Sequence, residues 1–191
     1  MVNAIPETVT LESYVRGKTF DAIVSANKKV NRALIGGALS LGTNIDITDI
    51  PGYAPLNNDK NMIALTLEAA QISIPEYEMK EGHSFGSGST DMGDLSCIMP
   101  VIHPYSGGAS GTSHGNDFYI VDPEAACVAS AKLQLSMLAL LLGDGAERAK
   151  MIAEEYTPPF ASAADYLAYV DSLNRTGDRI TYSDTNANIN L

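Results

Sequence analysis

The chain has 191 residues, of which 45% are hydrophobic and 18% charged; that is enough apolar content to bury a core, and it excludes the disordered class. Its formal charge of -11 comes from 23 Asp and Glu against 12 scattered Lys and Arg, a balance that opposes nucleic acid as a partner. The opening residues Met1-Val2-Asn3-Ala4-Ile5-Pro6 lack the basic and apolar regions of a secretory signal, and no uninterrupted apolar stretch approaches about 18 residues, so the expectation is a cytoplasmic protein with no membrane partner. The two cysteines, Cys97 and Cys127, share no metal-ligand spacing and read as buried thiols.

Residues 7–16 put Val9, Leu11 and Val15 on one face at period two, the pattern of a half-buried strand ended by Gly17. From Lys18 to about Leu41, Phe20, Ile23, Val24, Val30, Leu34 and Ile35 approximate an amphipathic helix, with Gly42 as its stop. A second strand is expected over residues 44–50, followed by the turn-rich Pro51-Gly52-Tyr53-Ala54-Pro55. This strand–helix–strand order predicts a small α/β unit over residues 1–54 and a second part over 55–191.

In the second part, Asn58 or Asp59 caps a helix running to about Ala70. Residues 72–79 read as a strand, although Pro75 argues for an edge or a bulge. A glycine- and hydroxyl-rich stretch, residues 82–94, precedes a short strand around residues 101–103 and another glycine loop. After a strand at residues 118–121, Asp122-Pro123-Glu124 is a helix start: an acceptor at the N-cap, proline in the first turn and a carboxylate at the positive dipole end. That helix should run to Leu142, stop at Gly143 and lie buried beneath a sheet. Helices near residues 146–156 and 162–173 and a polar tail follow, with no internal repeat and no sustained heptad.

Three histidines, His83, His103 and His114, lie in or beside these polar loops. Neutral imidazole, carboxylate and an open coordination position are the ingredients of a hydrolytic zinc site. No pair of them has a recognised zinc spacing, so spacing alone favours a structural or surface histidine over a ligand at each position. Asp91 and Asp94 form either a ligand-shell pair or caps of the short helix that follows Thr90. There is no phosphate loop, dinucleotide fingerprint or serine nucleophile elbow.

The ordered set Gly88-Ser89-Thr90-Asp91-Met92-Gly93-Asp94-Leu95-Ser96, Pro100, His103-Pro104-Tyr105, Gly111-Thr112-Ser113-His114-Gly115-Asn116-Asp117-Phe118 and Asp122-Pro123-Glu124 resembles the C-terminal catalytic segment of the zinc aminoacylase and carboxypeptidase G family. The resemblance is nearest to its amidohydrolase branch, which contains aminobenzoyl-glutamate and N-acyl-amino-acid hydrolases. Asn3-Ala4-Ile5-Pro6, Val15-Arg16 and Gly52-Tyr53-Ala54-Pro55 are similar to the second half of that family's lid, or dimerisation, domain. Residues 2–155 carry the likeness, and it is weakest in the final 35.

The resemblance implies an α/β architecture: the C-terminal part of a zinc-hydrolase catalytic sheet-and-helix domain, preceded by half of a small α/β lid. It implies a zinc or other divalent metal pair that activates water against an amide, assisted by a glutamate base. His114 matches the last metal-ligand histidine, and Asp91 matches an acidic position that supports the site. The early histidine-rich ligand motif, the glutamate pair and the lid histidine have no counterpart in this sequence, so no catalytic residue is assigned here and the chain alone is expected to be inactive. Implied partners are an N-acyl amino-acid substrate in the complete enzyme, and a second copy or a complementary N-terminal half. The alternative expectation is a noncatalytic binding or assembly module derived from such an enzyme.

Overall fold

A computed structural model describes residues 3–79 and 88–190. Helices and small antiparallel sheets alternate along them, which agrees with the α/β class at its coarsest level. The chain divides into two units, one of Met1–Ile50 with Asn174–Leu191 and one of Pro51–Leu173.

In the first unit, Thr19 adopts an extended conformation and its side chain accepts from the Ala22 N–H, starting helix α1, Phe20–Leu41. This satisfies one of the donors that a helix start leaves free. Gly42, at φ 66°, ends the helix in the left-handed region, and its N–H reaches back to the carbonyls of Ala38 and Leu39. Strand β1, Asp46–Asp49, pairs antiparallel with β4, Arg175–Asp178, so that Asp46 faces Asp178 and Asp49 faces Arg175. A second pair joins β5, Ile180–Tyr182, to β6, Ala187–Ile189. Ile35 of α1, Ile47 of β1 and Ile180 of β5 are buried together, flanked by Leu34, Ala38 and Ile45.

Asn27 and Asn31 on α1 donate to the two Asp49 carboxylate oxygens at 3.0 and 2.9 Å. The early turns of α1 therefore meet the end of β1, while Ile35 and Ala38, later in the helix, meet Ile47 and Ile45. Helix and strand run in opposite directions.

Residues 7–16 correct the sequence expectation, because they join no strand and Val9, Leu11 and Tyr14 are 78%, 72% and 84% exposed. Alternation tells which residues of a strand share a face, but not which neighbour will pair with it. The polar tail supplies the three strands β4, β5 and β6, since backbone pairing does not require apolar side chains.

In the second unit, Asp59 caps helix α2, Lys60–Ser73, by accepting from the N–H groups of Asn61 and Met62, both at 2.9 Å. The expected strand at 72–79 is absent: α2 runs through Ser73, Ile74 caps it, and Pro75 leads into a turn closed by the Tyr77 N–H on the Ile74 carbonyl. No strand forms at 101–103, where a single backbone bond, Asp59 N–H to Val101 O, takes the place of a ladder. A four-residue helix α3 follows the loop at Met92–Leu95. Strands β2, Ala109–Ser110, and β3, Tyr119–Ile120, form a two-residue ladder.

Asp122 starts the next helix, its side chain accepting from the Ala125 N–H at 3.1 Å. The first turn, Glu124–Val128, is π-helical and continues as α4, Ala129–Leu142. Helices α5, Glu147–Glu155, and α6, Ala163–Ser172, complete the unit.

Its core is made by Leu65, Ala69, Ala70 and Ile74 from the α2 end, Ala129, Leu133 and Met137 from α4, and Ile152 from α5. Helix α4 thus packs on α2; among the described residues the large sheet expected beneath it is absent. By length and composition the segment Glu124–Leu142 is apolar enough to cross a membrane, with 17% of it buried.

Candidate functional site

His114, Asp91 and Asp94 fall on two loops of the second unit. The first lies between β2 and β3. Gly111 sits at φ 97°, where an added Cβ would come within 2.1 Å of the Asp117 carbonyl oxygen, so the tight crossing needs glycine. Both Asp117 carboxylate oxygens accept from the Thr112 N–H at 3.2 Å, and Oδ2 also accepts from the Thr112 hydroxyl. The Gly115 N–H closes the same turn on the Thr112 carbonyl at 2.7 Å. Inside this brace is His114, exposed and at φ 64°. A left-handed conformation is uncommon for a residue with a side chain and is worth notice where it occurs. Here it accompanies an imidazole held out on a fixed loop.

The second loop carries Thr90-Asp91-Met92-Gly93-Asp94. Thr90, not Asp91, does the capping: its hydroxyl oxygen accepts from the Met92 N–H at 3.0 Å and its O–H lies 3.1 Å from Asp91 Oδ1. Asp91 occupies the cap position without a side-chain bond to the helix, and it is exposed.

Asp94 turns the other way. Its Oδ1 accepts from the Ala54 N–H at 2.8 Å and from the Tyr166 hydroxyl at 2.5 Å, joining the 51–58 segment, α3 and α6. Gly93 permits this approach, since a Cβ there would lie 1.9 Å from the Ala54 carbonyl oxygen. Asp94 thus bonds within the fold through Oδ1, and the cap position of α3 belongs to Asp91.

The knot around Asp94 extends through residues that no sequence motif marked. The Ser96 hydroxyl, 1% exposed, donates to the Gly93 carbonyl and accepts from the Asn57 N–H. The Tyr156 hydroxyl donates to the Ser96 carbonyl. Cys97 is buried, as expected, with its thiol on the Gly93 carbonyl at 3.5 Å; burial, then the Asp94 charge, pushes its pKa up to about 11. A thiol held that high is a poor nucleophile at neutral pH. Burial foremost, and then the bond to Asp94, raises Tyr166 above the ordinary tyrosine range. The other cysteine, Cys127, is exposed, which corrects the sequence reading.

His103 is held mainly through its backbone, whose N–H donates to Asn58 Oδ1 at 3.0 Å, and its ring meets Tyr105 edge-on at 5.3 Å. Its Nδ1 is buried and has no hydrogen-bond partner among the described residues. His83 lies outside the described residues. A cleft of about 320 Å³ opens at the start of α2, lined by residues 57–60 and 155–157. Its carboxylates are already engaged, Asp59 on the α2 N–H groups and Glu155 on the Asn61 amide at 3.0 Å.

Among the described residues no three His, Cys, Asp or Glu side chains gather closely enough to hold a metal ion. Zinc in a hydrolase takes three protein ligands and a water. His114 offers one nitrogen, and the carboxylate next to it, Asp117, is occupied by Thr112. The described donor set therefore does not fit a metal pair, and any centre would need ligands from outside it. No protein-family model, curated protein or solved structure matches the chain.

Proposed function

We propose that the chain is the C-terminal portion of a metal-dependent amidohydrolase, of the kind that hydrolyses N-acyl or aminobenzoyl amino-acid amides, and that it works only together with a segment bringing the remaining ligands and the base. The ordered motif set of residues 88–124 suggests the family. The observation that carries the site assignment is His114, held exposed on a loop braced by Gly111, Thr112 and Asp117. A braced loop lowers the entropy lost when an imidazole is committed to a ligand. In this reading His114 makes one bond to zinc or another divalent metal, and Asp91, whose carboxylate is exposed, orients groups beside it. Residues 1–54 are then a partial lid, residues 55–191 the C-terminal part of a catalytic domain, and the protein is cytoplasmic.

A second reading, a noncatalytic binding or assembly module, draws support from the apolar surface of α4, where Leu135, Leu138 and Leu142 are 67%, 50% and 59% exposed.

The test is complementation. Zinc added to the purified chain should give no amide hydrolysis; turnover by the chain alone would overturn the split reading. With an N-terminal half from a hydrolase of this family, activity should appear, and His114→Ala should lower both bound zinc and turnover by at least about tenfold. His83→Ala should change them less. Unchanged zinc content in His114→Ala would remove that residue from the metal site, and failure of every complementing half would favour the binding module.

A further inference from the structure

The charge of the chain is divided unevenly between its units. The first unit, Met1–Ile50 with Asn174–Leu191, carries seven carboxylates and seven Lys or Arg, whereas Pro51–Leu173 carries sixteen against five. The whole excess of -11 thus belongs to the second unit, and the first is free to present cations. They gather on α1. Its inward side is marked by Asn27 and Asn31, which bond to Asp49, and by the buried Ile35. Lys28, Lys29 and Arg32 stand on the outward side, all exposed.

These three cations repel one another. Positions three and four apart on a helix have Cβ atoms about 5–6 Å apart, so Arg32 lies beside both Lys29 and Lys28 at a cost to the helix. Nothing nearby offsets it. None of the three makes an ion pair or a side-chain hydrogen bond among the described residues, and the sole carboxylate of α1, Asp21, lies about two turns before Lys28.

We propose that the outward side of α1 is a docking surface for a short acidic segment of a partner protein, whose Asp or Glu side chains pair with Lys28, Lys29 and Arg32. Spacing agrees with this occupant. Lys28 and Arg32 are about 6 Å apart along the helix axis, and alternate residues of an extended chain recur on one face about every 6.6 Å, so two alternate carboxylates meet two cations. The rest of the molecule limits how much charge the partner brings. A phosphate backbone or an anionic bilayer presents charge well beyond this face, and there it meets repulsion from a net charge of -11. A segment with two or three carboxylates keeps the local attraction and avoids most of that repulsion. This inference is independent of the amidohydrolase reading.

Fluorescence anisotropy of a labelled peptide of alternating Glu and Ser, titrated with the full chain at low ionic strength, tests the surface. The peptide should bind, and binding should vanish at about 0.5 M salt, where screening confines attraction to a few ångströms. Lys28→Gln, Lys29→Gln and Arg32→Gln together should weaken it about tenfold, since each exposed pair contributes only a fraction of that alone. Lys28→Arg with Lys29→Arg should preserve it. Lys60→Gln, Lys132→Gln and Lys150→Gln together make an equal change of net charge on the second unit and should weaken it far less, with circular dichroism reporting that every variant keeps its helices. No binding by the unaltered chain, or equal loss in the two triple variants, would overturn the proposal. So would tighter binding of oligothymidylate or of phosphatidylserine vesicles that the α1 substitutions abolish, which would assign the face to an extended polyanion.

Discussion

The two units differ in how their cores are assembled. In the helical unit, eight buried residues from α2, α4 and α5 make one continuous cluster, and the buried polar residues Asp59, Thr66 and Ser96 all have hydrogen-bond partners. In the terminal unit, three isoleucines brought together from opposite ends of the sequence make the cluster. The comparison separates two sources of order. The helical unit rests on apolar burial, whereas the terminal unit rests on backbone pairing and on the Asn27–Asp49 and Asn31–Asp49 bonds around a small core. Pairing of distant segments carries a closure entropy that few apolar contacts offset.

The largest effect should come from emptying the larger core. Leu133→Ala is expected to destabilise the helical unit by about 2–5 kcal/mol, seen as a lower urea midpoint for α-helical circular dichroism. Ile47→Ala should instead remove exchange protection from β1, β4 and β5 while α2 and α4 remain protected. Equal loss in both units would show that they unfold as one body and would break the comparison.

A smaller effect is expected at the Asp94 knot. Tyr166→Phe deletes one bond to a carboxylate and leaves the Ala54 N–H on it, a loss of about 2 kcal/mol, read as a lowered urea midpoint for the helical unit. An unchanged midpoint would mean that the hydroxyl merely exchanges one partner for water.

The same knot gives the helical unit a pH limit. The folded state raises Cys97 from 9.0 to about 11 and raises Tyr166 above 10.0, in both cases chiefly through burial. Both groups hold their protons more tightly when folded, so their contribution is complete below the unfolded values and is lost as pH rises through the folded ones. Stability should therefore fall above about pH 9, earlier for the helical unit than for the terminal one. Cys97→Ala should flatten the part of that fall between pH 9 and about 11, measured by urea midpoints at stepped pH. The smallest effect belongs to Arg148→Ala: its 2.6 Å pair with Glu68 is 43% exposed on each side, and its loss should cost less than about 1 kcal/mol.

What could be read from sequence follows the same division. The helices were legible because their signals are local: Asp59 stands beside the N–H groups it caps, Gly42 and Gly143 end the helices they follow, and Asp122-Pro123 opens the segment leading into α4. The strands of the tail were not legible, because the partner of β4 is β1 and nothing in residues 175–178 encodes that distance. Residues 72–79 misled because short apolar runs fit helix and strand equally well. At the candidate site, Asp91 and Asp94 look alike in sequence and differ only in surroundings. Tyr166 and Ala54 decide that Asp94 is structural, and neither adjoins it in the chain. The exposure of His114 agreed with its loop composition, but the Asp117 brace became visible only with the fold.

The outward side of α4 has a consequence for the colloidal behaviour of the protein. Val128, Leu135, Leu138 and Leu142 are each at least 40% exposed, and Lys132 is the only charged side chain between residues 125 and 143. Two molecules approaching one another are kept apart by their shared excess of negative charge, not by any feature of that face. Salt shortens the reach of the repulsion to about 10 Å at 0.1 M and about 3 Å at 1 M, and sulfate also strengthens apolar association. Adding salt should therefore turn the second virial coefficient from positive toward negative in static light scattering, and Leu135→Glu with Leu138→Lys should keep it positive. A protein of this kind would stay dispersed in dilute buffer and crowd together in brine.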